Sequence, residues 1–245
     1  MARGPRLDQR LVELGLAPSR ERARALILAG KVRIDGERAD KAGRAVPEGA
    51  GVILVAPDHP YVSRGGVKLE GALDDLGVDP QGLVVLDVGI STGGFTDCLL
   101  QRGARRAFGV DVGYGQVALK LRNDERVTLF ERTNFRHFDP ARVDETLDLA
   151  VIDASFIALA KLLPKLAECL APGAECLALV KPQFELSKAE VGKGGVVRDD
   201  GLREEAVARA SEAAERCGFE VLGSADSRLH GPKGNREIFL YLRRV

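Results

Sequence analysis

Residues 83–97 read LVVLDVGISTGGFTD, an apolar run that ends on a carboxylate and opens into glycines before a second apolar pattern. Leu83, Val84, Val85, Leu86 and Val88 are too continuous for a strand with one wet face, and predict a parallel strand buried on both. Gly89, Gly93 and Gly94 lack a Cβ, so the backbone there can turn tightly and approach a bound molecule. Phe95, Leu99 and Leu100 begin a helical stripe that Gly103 is expected to stop. Ligands of open α/β sheets sit outside the carboxyl ends of such strands, which makes this turn a candidate cofactor loop.

The next apolar segment, 107–110, ends at Asp111, about twenty residues past the loop, where a carboxylate can accept hydrogen bonds from both hydroxyls of an adenosine ribose. The chain has no P-loop signature, and the spacing of Gly89, Gly93 and Gly94 is not that of a dinucleotide fingerprint. Asp87 at the mouth of the loop would repel a pyrophosphate and welcome an ammonium. S-adenosylmethionine (SAM) fits these features best. Its expected contacts are Asp87 near the amino group, Gly89, Ser91, Thr92, Gly93, Gly94 and Phe95 along the loop, and Asp111 at the ribose. Asn134, in RTNFRHFD, lies where related folds contact adenine, and a turn-forming role is its alternative. For the glycine loop taken alone, an ordinary strand–turn–helix junction is the competing explanation.

The 245 residues suffice for one large domain and a small one, and 45% of them are apolar, ordinary for a globular chain. Formal net charge is zero, yet residues 1–50 hold eleven Lys and Arg against seven Asp and Glu. That asymmetry points to an anionic partner for the front of the chain, against the plainer reading of a solvated basic face. Cys98, Cys169, Cys176 and Cys217 form no C-x-x-C, and His59, His137 and His230 are dispersed, so no metal site is expected. Reduced thiols, no apolar run of membrane-spanning length and no signal-peptide core together predict a cytoplasmic protein.

Along the front, Leu7, Leu11 and Leu14 repeat at helical spacing up to Gly15, and Ser19 is placed to cap a second helix carrying Ala23, Leu26 and Ile27. A strand from Lys31 into the turn Asp35-Gly36 and another over 52–55 complete a basic unit of about fifty residues. Residues 57–60 read as connector. A helix from Ser63 carries Leu69, Ala72, Leu73 and Leu76 to Gly77, with Lys68 in its first turns. Apolar segments recur at 127–130, 147–152, 176–180, 219–222 and 238–242, and helical stretches, notably 162–170 and 204–217, separate most of them. This alternation predicts a doubly wound, mostly parallel sheet with helices on both faces. The loop 226–236 is too short for a crossover, so the last two strands should pair antiparallel. Two strands stop on charged residues, Asp153 and Lys181, which should face the cofactor side. A Lys there is pulled between desolvation and a neighbouring carboxylate, a pattern of catalytic sites that structural ion pairs share.

Two resemblances sharpen this reading. The stretch SRERARALILAGKVRIDG resembles the S4-like RNA-binding module, which grips structured RNA by shape and phosphate. Lys68 in YVSRGGVKL, Asp153 in VIDASF, Lys181 in LVKPQFE and Glu237 in GNREIFLYL resemble the Lys-Asp-Lys-Glu tetrad of FtsJ-like ribose 2′-O-methyltransferases. The combination is similar to the TlyA family of rRNA cytidine methyltransferases, sometimes labelled haemolysins, and runs from about Arg6 to Leu242. The resemblance implies a Rossmann-like class I SAM-dependent methyltransferase fold: a seven-stranded, mostly parallel sheet with the last strand antiparallel, preceded by a small α+β S4-like domain. It divides the chain into residues 1–56, a linker at 57–62 and a methyltransferase domain at 63–245.

The implied roles are Lys181 as acceptor of the 2′-hydroxyl proton, Asp153 as its orienting group, and Lys68 and Glu237 as charge-tuning and nucleotide-positioning groups. The implied partner is ribosomal RNA or a ribosomal subunit, with no membrane partner and a monomeric chain. Expected RNA contacts are Arg6, Arg10, Arg20, Arg24, Lys31, Arg64, Lys188 and Lys193, and the basic loops 183–198 and 228–236 are candidates to close over RNA. Ile90 stands where a small residue is expected and should crowd the methionine end of the cofactor. The rival functions are a non-catalytic RNA-binding or ribosome-assembly factor and a membrane-active haemolysin.

Overall fold

The computed structural model describes residues 4–17, 19–55, 59–192, 194–231 and 233–245. The chain separates into two compact units, Met1–Pro60 and Tyr61–Val245.

In the first unit, α1 (Leu7–Glu13) and α2 (Arg20–Leu28) pair, and Ser19 Oγ caps α2 by accepting from the Arg22 amide at 3.2 Å. Three short strands follow: β1 (Val32–Ile34), β2 (Glu37–Arg38) and β3 (Val52–Leu54), antiparallel in the order β2-β1-β3. Leu7, Leu11, Ala23, Ile27, Val32 and Ile34 close one core. The two-residue β2 carries no apolar alternation, and the sequence pattern does not reveal it.

The second unit begins with α3 (Arg64–Leu76), then β4 (Val84–Val88), α4 (Gly94–Gln101), β5 (Arg106–Val110), the short α5 (Leu119–Arg122), β6 (Val127–Phe130) and β7 (Leu149–Ile152). It continues through α6 (Leu163–Cys169), β8 (Glu175–Val180), the single turn α7 (Pro182–Glu185), α8 (Asp200–Arg216), β9 (Phe219–Asp226) and β10 (Ile238–Arg244). Seven strands form one sheet in the order β6-β5-β4-β7-β8-β10-β9. Strands β6 to β8 are mutually parallel, while β10 is antiparallel to both β8 and β9.

Successive residues of β4 serve opposite faces, which is why its sequence shows no alternation. Val84, Leu86 and Val88 pack with Leu163, Leu166 and Ala210 of α6 and α8, whereas Val85 packs with Leu69, Leu73, Phe95 and Leu99 of α3 and α4. Helix α8 starts four residues before the apolar pattern does, because Asp199 caps it by accepting from the Leu202 amide at 2.9 Å. Tyr61 and Val62, within the stretch read as linker, are anchored in this unit: Tyr61 is buried and its hydroxyl donates to Glu70 at 2.6 Å, and the Val62 amide donates to Asp97 at 2.7 Å.

Candidate active site

Asp153 and Lys181 leave the carboxyl ends of β7 and β8, and Lys68 projects from α3. Glu237 immediately precedes β10. Because β10 runs against β8 with Ile238 opposite Val180, its first residues reach the same end of the sheet at which Lys181 departs. The result is two lysine–carboxylate pairs: Lys68 Nζ to Glu237 Oε2 at 2.5 Å and Lys181 Nζ to Asp153 Oδ1 at 2.5 Å. Lys181 also donates to Ser155 Oγ at 2.9 Å. Lys68, Lys181 and Glu237 are 9%, 7% and 2% exposed, so each charge needs the partner it has, since an unpaired buried ion costs several kcal/mol. Asp153 Oδ1 accepts no aligned hydrogen bond, and its hold on Lys181 is charge at contact distance.

The glycine loop lies beside these pairs. Gly89 has φ +89°, and a Cβ there would come within 2.7 Å of the Asp153 carbonyl oxygen, so the loop can leave β4 against β7 only as glycine. The Ser91 and Gly113 amides donate to the two oxygens of Asp111 at 2.8 and 2.7 Å, fixing its carboxylate at the end of β5. Asp87 is fully buried. Its Oδ2 accepts from Thr96 Oγ1 at 2.7 Å and from the Thr96 amide at 3.1 Å, while Oδ1 is buried without a partner. Burial pushes its carboxyl up to about 7; the Thr96 bonds oppose that rise, and the nearby charges of Asp153 and Asp111 add to it.

Three adjoining cavities open around this end of the sheet. The first, about 390 Å³, is lined by Lys68, Asp87, Gly89, Ser91, Thr92, Gly94, Phe95 and Asp153, with Arg64 and His230. The second, about 480 Å³, shares Gly89, Ser91 and Asp153 with it and reaches Asp111 and Asn134 among apolar neighbours such as Val112, Phe135 and Leu162. A third, about 330 Å³, holds Lys181, Glu237, Gln183 and Phe184, and shares Ser155 and the 90% exposed Phe156 with the second. Gly93 lies behind the loop, where a Cβ would strike Leu121. Asn134 does form a turn, its Oδ1 accepting from the Arg136 amide at 3.1 Å, and it lines the second cavity as well.

Ile90 lines the first cavity, and its side chain also fills the space over β5. Its side chain is buried against Gly109 of β5, where an added Cβ would lie 2.4 Å from Ile90 Cδ1. Gly109→Ala is expected to destabilise the protein by about 1–3 kcal/mol through overpacking, read as a lower urea midpoint with an unchanged m-value. An unshifted midpoint would show that Ile90 has room elsewhere.

The basic residues of the first unit are organised by one that the sequence reading passed over. Asp8 is fully buried, and Arg6, Arg20 and Arg24 all reach its carboxylate at 3.0, 3.2 and 3.1 Å while staying about half exposed. The Arg6 hydrogen bond foremost, then those of Arg24 and Arg20, hold this carboxyl far below the usual range. Three guanidinium groups thus share one counter-charge, leaving a net positive patch. Arg10 pairs with Glu13 at 3.3 Å, outside this cluster, and Lys31 is exposed. In the second unit Arg64 and Lys188 are exposed, and Lys193 lies outside the described residues. Loops 191–198 and 228–236 are stitched together by Asn235, whose Oδ1 accepts from the Val197 amide at 2.9 Å and whose Nδ2 donates to the Gly195 carbonyl at 2.8 Å. Arg228 and Arg236 in that loop are engaged by Asp75 and Asp200.

A parallel sheet with an inverted last strand and a glycine loop at its carboxyl end defines the methyltransferase fold class. A solved S-adenosylmethionine-dependent methyltransferase from Mesorhizobium loti shares that fold with TM-score 0.52 at 16% identity, covering 71% of this chain and 96% of that one. A family model for FtsJ-like methyltransferases matches residues 61–244, and one for the S4 domain matches residues 5–52. The chain belongs to the FtsJ-like methyltransferase family, with an S4 domain ahead of the enzyme domain. It is 48% identical over 244 residues to the 16S/23S rRNA (cytidine-2′-O)-methyltransferase TlyA of Mycobacterium tuberculosis, covering 99% of this chain and 91% of that protein. A solved structure from Streptococcus thermophilus, described as a hemolysin, matches with TM-score 0.78 at 39% identity, covering 100% of this chain and 90% of that one.

Proposed function

We propose that the protein transfers the methyl group of SAM to a ribose 2′-hydroxyl of ribosomal RNA, at cytidine. The observation that carries this reading is the meeting of the two lysine–carboxylate pairs with the unpartnered oxygen of buried Asp87 at one end of the sheet. That oxygen suits an ammonium donor, and Asp111 and the apolar second cavity suit an adenosine. Bound SAM supplies an electrophilic methyl on a sulfonium, whose sulfur takes the bonding electron pair when the methyl leaves for the ribose oxygen.

The protein's own share is deprotonation and alignment. Lys181 takes the 2′-hydroxyl proton, and Asp153 and Ser155 hold the resulting ammonium. Glu237 and Lys68 neutralise each other and form a fixed polar wall. Holding oxygen, methyl carbon and sulfur in line contributes much of the rate. The S4 domain, with its arginines clustered on Asp8, binds RNA phosphates. A ribosomal RNA substrate supports a cytoplasmic location for this work.

Incubation with methyl-labelled SAM and unmodified 16S and 23S rRNA should yield 2′-O-methylcytidine in the nuclease digest. Tight RNA binding with no label transferred would instead favour an assembly factor. Among the described residues no helix is long and apolar enough to cross a membrane, and dye-loaded liposomes should stay intact in its presence.

A further inference from the structure

We propose that Arg64 binds the α-carboxylate of the cofactor rather than an RNA phosphate. This rests on the SAM reading above. An amino-acid terminus carries an ammonium and a carboxylate on the same carbon, so a site that takes the ammonium at Asp87 must meet the carboxylate within a few ångströms. The first cavity contains Asp87 and offers two strong cations, Lys68 and Arg64. Lys68 is already neutralised by Glu237 at 2.5 Å, whereas Arg64 enters none of the ion pairs formed among the described residues. Asp153, on the same wall, has Lys181.

Position favours Arg64 as well. It is the first residue of the thirteen-residue α3, whose N-cap Ser63 makes no side-chain capping bond, so the opening amides and the positive end of the helix add to its field. That end rests on the cofactor loop: a Cβ at Gly94 would lie 2.2 Å from Ser63 Oγ and 3.2 Å from Gly65 Cα. An arginine there can grip a carboxylate through two parallel N–H bonds.

Calorimetric titration of the full chain with three ligands tests this: SAM, its decarboxylated analogue, and 5′-methylthioadenosine, which lacks the amino-acid end. Arg64→Ala should weaken SAM roughly 10- to 100-fold, leave the other two within about twofold, and leave rRNA affinity within about twofold. Arg64→Lys should recover part of the SAM affinity. Equal weakening of all three ligands, unchanged SAM binding with weakened rRNA binding, or a SAM-specific loss in His230→Ala instead would overturn the assignment. A wild-type protein that binds none of the three ligands would sink the cofactor reading itself, a separate result.

Discussion

Lys181→Ala should lower the rate of methyl transfer by about 10²- to 10⁴-fold, the range expected when a positioned general base is removed. The lysine is 7% exposed, touches Asp153 and Ser155, and lines the third cavity, so it is one of the few groups able to receive a proton there. Its loss leaves Asp153 without its cation, but that side chain is 26% exposed and can be rehydrated. The fold should therefore survive. Calorimetric SAM affinity, filter-binding rRNA affinity and the melting temperature should stay near wild type while turnover collapses. A variant that keeps more than about a tenth of the wild-type rate would remove Lys181 from the chemistry.

The affinity for SAM should rise by up to about tenfold per pH unit below pH 7 and level off above it, through the ionisation of Asp87. Burial is the principal cause that sets this carboxyl at about 7 in the ligand-free protein. A protonated Asp87 cannot answer an ammonium, so binding at low pH must first expel a proton. The sign for folding is opposite. A folded value raised above the ordinary 3.8 penalises the ligand-free fold as pH climbs from 3.8 towards 7, by on the order of 4 kcal/mol at the plateau. Asp87→Asn should consequently bind SAM weakly and without pH dependence, yet melt higher than wild type at pH 8 when no ligand is present. A pH-independent wild-type affinity would show that the ammonium sits elsewhere.

The features legible in the sequence were those carried by neighbours along the chain. The two-faced apolar run of β4, its glycines and Asp111 fix the loop and its sheet, and the antiparallel pairing of β9 and β10 follows from a loop too short to cross over. Lys68 and Glu237 became legible only through family resemblance, since a contact spanning 169 residues leaves no local pattern. The residues missed share that property. Asp8 looks like a helix-surface acid until Arg20 and Arg24 fold over it, and Asn235 meets Val197 across 38 positions. The packing of Ile90 depends on Gly109 in the adjacent strand, a contact that no local pattern reveals.

The inverted sixth position of the sheet has a genetic consequence. With β10 inserted between β8 and β9, a nonsense or frameshift lesion anywhere before residue 237 deletes the acid that neutralises Lys68, and even one after Asp226 removes β10 and leaves the facing edges of β8 and β9 bare. Late lesions should score as null as early ones, so alleles of this gene will not form a graded series by position.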